Sequence, residues 1–123
     1  HGTAQEEWHL VSFEVTCGTG RKPQVTLTLS RGGTEKTATM TEGDGPIDAA
    51  FLATERITGV KVKCVEYQVR SATLGHDALG EVTLTVEHAG QKFRGRGIST
   101  DTVEATLLAM LNAINRIASK PTA

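Results

Sequence analysis

Glu42-Gly43-Asp44-Gly45-Pro46-Ile47-Asp48-Ala49-Ala50 is the stretch of this chain best suited to holding a small molecule. Two glycines around an aspartate make a tight turn and bring the backbone close to whatever lies beside it. Pro46 fits the first turn of a helix, where a missing N–H costs nothing. N–H groups at the positive end of a helix dipole follow the turn directly, and such an end can hold a carboxylate or a phosphate. A second glycine-flanked turn, Gly95-Arg96-Gly97-Ile98-Ser99-Thr100-Asp101, precedes a second helical stretch. Taken alone, each reads as a simple helix-starting turn; two in a pseudo-symmetric pair say more than one. Gly43-Asp44-Gly45-Pro46 is not a Walker loop, since no Gly-Lys-Ser/Thr follows it.

Other chemistries find little footing. His1, His9, His76 and His88 are scattered, with no pair at HxH or HxxxH spacing, and Cys17 and Cys64 lack a CxxC partner. Surface histidines and packed cysteines are the plain reading, and no metal site is expected. No G-x-S-x-G elbow is present for a serine nucleophile. Arg94-Gly95-Arg96-Gly97 mimics an RNA-binding element, but 13 basic against 14 acidic residues leave a net charge of -1. That balance excludes the basic surface on which most nucleic-acid binding depends, so the two arginines read as exposed residues of an outer strand. Thr73-Leu74-Gly75-His76-Asp77-Ala78-Leu79-Gly80 reads as a loop between strands, either a plain connector or a pocket wall.

The elements that must position these turns come in two copies. Val25-Thr26-Leu27-Thr28-Leu29 overlays Val82-Thr83-Leu84-Thr85-Val86, and Gly33 then falls on Gly90. Upstream, Val11-Ser12-Phe13-Glu14-Val15 matches Val65-Glu66-Tyr67-Gln68-Val69; downstream, Ile47 to Ala53 matches Val103 to Ala109. Each copy reads strand, strand, strand, helix, with repeat 1 over about 8–59 and repeat 2 over about 60–118. Val11, Phe13, Val15 and Cys17 alternate with polar residues, as on a half-buried strand, and residues 35 to 41 make a weak third strand. The pattern changes phase between Cys64 and Val65, which fits a bulge. Val103, Leu107, Met110, Leu111, Ile114, Ile117 and Ala118 form one apolar helical stripe. Asp101 and Glu104 have the spacing of a capping box; Gly45 and Asp48 are their counterparts in the first copy. One copy is too small to bury its own face, so the two should pack together. The fold class is α+β, with antiparallel sheets packed on two helices.

The 123 residues amount to one domain, and 38% hydrophobic against 22% charged residues support a packed core. No apolar run approaches the roughly 20 residues that span a bilayer, and two cysteines point to a reducing, cytoplasmic home. The start at His1 and the end at Ser119-Lys120-Pro121-Thr122-Ala123 read as a piece of a longer protein, with His1-Gly2 left from a tag.

Gly43 to Ala49, then Val65-Glu66-Tyr67, then His76 to Val82, then Gly95 to Asp101, occur in the order seen in one family. The chain resembles the C-terminal regulatory, or allosteric dimerisation, domain of 2-isopropylmalate synthase, from about Trp8 to Ile117; citramalate synthase has a similar domain. The resemblance implies two βββα units related by a pseudo-two-fold. It implies a parent acyltransferase that condenses acetyl-CoA with 2-oxoisovalerate on a metal-dependent TIM barrel, the first committed step of leucine synthesis. The regulatory domain would bind leucine, form a homodimer and lower activity. The barrel is absent here, so this piece is expected to hold no catalytic residue and no cofactor; the divalent metal belongs to the barrel.

The resemblance also implies an effector site. Gly43, Asp44, Gly45, Pro46, Ile47, Asp48 and Ala49 would border the amino acid, and Cys64, Tyr67 and Ser71 would line its side-chain pocket. Asp77 and Ala78 would cross it, and Ile98, Ser99 and Thr100 would form the second turn. Cys64 and Ser71 depart from the apolar wall expected for leucine. Isoleucine sensing, as in citramalate synthase, and a structural dimerisation module without effector are therefore the alternatives. The implied partners are a branched-chain amino acid, a second copy and the catalytic barrel; nucleic acid and membrane are not among them.

Overall fold

The computed structural model describes residues 7–74 and 77–119, with side chains described outside 72–78. The chain forms β1 (His9–Gly18), β2 (Arg21–Arg31), β3 (Thr34–Met40), α1 (Pro46–Thr58), β4 (Lys63–Leu74), β5 (Asp77–His88), β6 (Gln91–Ser99) and α2 (Thr102–Ser119). Two antiparallel sheets result, ordered β1-β2-β3 and β4-β5-β6. The architecture is therefore α+β, two βββα units, as the repeat requires. Among the described residues no helix is long and apolar enough to cross a membrane.

Period-two alternation places Val25, Leu27 and Leu29 of β2, and Val82, Leu84 and Val86 of β5, in the core. Their polar neighbours lie on the other face, where Thr26 bonds Thr39 (3.1 Å) and Thr28 bonds Thr37 (2.8 Å) across the strands. The β2–β3 and β5–β6 turns repeat as well: Gly32-Gly33 and Ala89-Gly90 both carry two successive positive φ angles. That conformation matches the right-handed twist of a two-residue hairpin. Ala89, at φ 52°, adopts it without being glycine.

Each unit's first strand is bulged at the same place. Register slips between Leu10 and Ser12 in β1 and between Cys64 and Glu66 in β4. The second slip accounts for the phase change at Cys64-Val65. The first corrects the reading of Val11 as part of a half-buried face: it is the extra residue and stands 46% exposed. The stretch from Thr73 to Gly80 is corrected too. Thr73 and Leu74 belong to β4 and Asp77 to Gly80 to β5, with Leu74 paired to Asp77 and Ser71 to Gly80, while Gly75 and His76 lie outside the described residues. These strand ends needed no alternating pattern, because Val69, Arg70 and Ser71 beside them are exposed on both faces.

α1 packs on β2 and β3, α2 on β5 and β6, and the helices touch one another. Pro46 starts α1, and Gly59 ends it in the left-handed conformation, its N–H bonded to the Glu55 carbonyl. α2 is buried beyond its apolar stripe. Ala105, Ala109 and Ala113 form a second, small-residue face that lies directly on β6. An added Cβ at Gly95 would stand 1.9 Å from the Ala109 carbonyl oxygen, and one at Gly97 2.1 Å from that of Ala105. Helix backbone and strand backbone are thus in contact. The Asn112 side chain seals the strand edge between the two glycines by accepting the Arg96 N–H (3.1 Å).

α2 lies over β5 and β6 and meets β4 at the Tyr67 hydroxyl, which leaves an apolar face open. Tyr67 and Val69 pair with Leu84 and Val82, on the core side of the sheet, yet are 36% and 50% exposed. Their counterparts Phe13 and Val15 in the first unit are half-buried.

Candidate functional site

The two helix starts, alike in sequence, differ in what occupies them. At α2, Asp101 Oδ1 accepts the N–H groups of Val103 (2.7 Å) and Glu104 (3.2 Å), as an N-cap does. The reverse half of the expected capping box runs through a relay. The Glu104 carboxylate accepts the Ser99 hydroxyl, and Ser99 Oγ accepts the Asp101 N–H (3.1 Å). Asp101→Ala should cost about 1 kcal/mol. In urea unfolding, Asp101 and Glu104 should show non-additive losses that become additive once Ser99→Ala removes the relay. Additive losses with Ser99 in place would refute the relay.

At α1 the cap is missing. Gly45 has no side chain to offer the first N–H groups of the helix, and Pro46 follows it. Asp48 Oδ2 reaches back past the N-cap to accept the Asp44 N–H (3.1 Å). The N–H groups at the head of α1 are left to solvent or to a ligand. Gly43, at φ 116°, lets the turn fold over the helix start, 3.0 Å from its missing Cβ to the Ala49 nitrogen. Ala49 lies buried beneath, its N–H bonded to the Gly45 carbonyl (2.9 Å).

Beside this open start lies a cleft of about 330 Å³ lined by Asp44, Gly45, Pro46, Ile47, Asp48 and Phe51. Asp48 and Phe51 also line a narrower pocket of about 150 Å³, closed by Leu52, Glu55, Val62, Cys64 and Met110. The site thus offers helix N–H groups, the carboxylates of Asp44, Asp48 and Glu55, and a recess with an apolar wall of Phe51, Leu52, Val62 and Met110. Cys17 and Cys64 are exposed rather than packed; Cys64 borders the recess as a thiol whose pKa desolvation by the surrounding protein pushes up. Tyr67 stands at the border: its ring meets Phe51 edge-on at 6.4 Å and its hydroxyl bonds Thr106 Oγ1 of α2 at 2.7 Å.

Of the residues singled out in the sequence, Asp44, Gly45, Pro46, Ile47 and Asp48 come together around the cleft, with Gly43 and Ala49 behind it and Cys64 in the recess. Ser71 is exposed on β4. Asp77 and Ala78 begin β5, and their side chains lie outside the described residues. Ile98, Ser99 and Thr100 line neither cavity. Ile98 faces a separate cleft with Arg96, Leu108 and Asn112, Ser99 is committed to the α2 cap, and Thr100 is exposed. Phe51, Leu52, Glu55, Val62 and Met110 were not expected. Phe51 had the visible signal of an aromatic one turn after Ile47; the others come from α1, the connection before β4, and α2.

Comparison with known proteins agrees with this architecture. The model of the LeuA allosteric (dimerisation) domain matches residues 1–118. The chain is 58% identical over 115 residues to a 2-isopropylmalate synthase of Rhodopirellula baltica, covering 94% of this chain and 22% of that protein. It is 46% identical over 110 residues to one of Ruminiclostridium cellulolyticum (89% and 21%) and 43% identical over 112 residues to one of Pyrococcus furiosus (91% and 21%). The chain spans about a fifth of the length of these curated relatives. With its two βββα units and a match over nearly its whole length, the chain belongs to the LeuA allosteric (dimerisation) domain family.

Proposed function

We propose that this chain is the regulatory and dimerisation part of a 2-isopropylmalate synthase, and that it binds leucine at the head of α1 to lower the activity of that enzyme. The observation that carries the reading is the uncapped start of α1 beside a recess with an apolar wall, where the equivalent start of α2 is closed by its own aspartate. A free amino acid brings a carboxylate, an ammonium and a side chain. The helix N–H groups suit the first, and Asp44 or Asp48 the second. The recess of about 150 Å³ suits the third, with Phe51, Leu52, Val62 and Met110 as its apolar wall beside the Asp48 and Glu55 carboxylates.

Calorimetric titration with leucine, isoleucine and valine tests this. Leucine should bind best, with the others weaker by no large factor, since one methylene or branch point discriminates by about 1–3 kcal/mol. Tighter binding of isoleucine would make the parent a citramalate synthase. No binding of any of the three would leave a structural dimerisation module.

The face for a second copy is the uncovered side of β4. Tyr67 and Val69 are large and exposed there, and exposed apolar patches of this kind mark interfaces. Val69→Glu should convert a dimer at low micromolar concentration into 13.1 kDa monomers in sedimentation equilibrium. A variant that stays dimeric would place the interface elsewhere.

A further inference from the structure

Trp8, just before β1, is fixed at both its main chain and its ring. Its N–H donates to Asn115 Oδ1 (2.8 Å), and its carbonyl accepts from Asn115 Nδ2 (3.0 Å). One side-chain amide of α2 thus satisfies both main-chain groups, as a neighbouring strand would. The indole is 3% exposed, with the Arg31 guanidinium 4.4 Å from its centre and the Lys36 ammonium 5.9 Å away. Asn115 therefore ties the entry of the first unit to the helix of the second.

That helix also touches the border of the candidate effector site. Thr106 of α2 bonds Tyr67, and Tyr67 meets Phe51, which lines both cavities. Thr106 and Asn115 lie nine residues apart on one helix, about 13.5 Å at 1.5 Å per residue. α2 has no slack against the second sheet, because Gly95 and Gly97 admit its backbone and nothing more. Movement of α2 against the first unit is then felt at Trp8. From this chain of contacts we infer that Asn115 is a coupling residue: it passes occupancy of the α1 site, through Tyr67, Thr106 and α2, to the backbone at Trp8 beside the start of β1. The inference rests on the effector reading above. It requires that leucine interact differently with two arrangements of Tyr67 and α2, since only differential binding shifts an equilibrium.

The chain supplies its own reporter, because Trp8 is its single tryptophan. Saturating leucine should change Trp8 emission in the unaltered chain. In Asn115→Leu, calorimetry should find leucine bound within about threefold of its original affinity while the emission change is lost, because Asn115 touches neither cavity of the site. Asn115→Asp keeps the acceptor for the Trp8 N–H and loses the donor, so its response should be intermediate. It also serves if the leucine variant fails to fold. Leucine binding that leaves Trp8 emission unchanged, or an Asn115 variant that responds like the unaltered chain, overturns the coupling role alone. Absence of calorimetric binding to the unaltered chain overturns the effector reading, and the coupling role with it.

Discussion

Gly97→Ala should be among the most damaging single substitutions in this domain, with a loss of about 3 kcal/mol or more in urea unfolding. Overpacking a core by one methyl costs about 1–3 kcal/mol when side chains can yield. Here the new methyl would meet the Ala105 carbonyl oxygen at 2.1 Å and the Ala109 nitrogen at 2.7 Å, and main chain inside a helix cannot yield alone. α2 would have to lift off β6, opening the packing of Ala105, Ala109 and Ala113 along its length. Gly95→Ala should behave in the same way. The first unit supplies the contrast, because Ala38 and Met40 stand in β3 where Gly95 and Gly97 stand in β6. Retention of near-original stability by either alanine variant would show that α2 sits farther from the sheet than described.

Gly45→Asp should have two effects of opposite sign. The backbone at Gly45 is extended, at φ 163°, and nothing lies within 4 Å of an added Cβ. Aspartate therefore fits, and it reproduces at α1 the cap that Asp101 provides at α2. The unliganded domain should gain a few tenths of a kcal/mol, the usual margin of aspartate over glycine at an N-cap. The response to leucine should disappear, because the new carboxylate occupies the N–H groups and repels the ligand's own. At a hundredfold excess over its dissociation constant, leucine should stabilise the original domain by about 2.7 kcal/mol and the variant by almost nothing. A thermal melt with and without leucine measures both effects. An undiminished leucine shift in Gly45→Asp would move the carboxylate site away from α1. Gly43→Asp is not an equivalent test: at φ 116°, with a Cβ 2.9 Å from Asp48 Oδ2, it strains the turn itself.

Gly43 and Gly45 look interchangeable in the sequence, and their difference shows where sequence reading reaches its limit. Patterns that repeat locally were readable. The alternation of Val25, Leu27 and Leu29, the stripe from Val103 to Ile117, Pro46 at a helix start and the phase slip at Cys64 each follow from a few neighbouring residues. Val11 was misread because it follows another apolar residue, Leu10, so alternation alone cannot say which is the extra one. The small face of α2 was missed because alanines at every fourth position add little contrast to an apolar stripe; it becomes meaningful only opposite Gly95 and Gly97. The recess was legible only in part. Leu52, Val62 and Met110 are ordinary core-type residues on three separate segments, and no short-range pattern joins them. The pairing of Trp8 with Asn115 spans 107 positions and leaves no local mark at all.

The sheet order has a further consequence, for the route by which the chain reaches this fold. Every strand pairs with its sequence neighbour, and among the described residues no ladder crosses from β3 to β4. Closing such short loops costs little chain entropy, so hairpin formation in each half can proceed without waiting for the other. What must wait is the docking of α2 and the capture of Trp8, which bring together the most distant parts of the chain. Substitutions in the hairpins should therefore slow folding, whereas those at Trp8 or Asn115 should chiefly speed unfolding. The junction that forms last would also be the first to open.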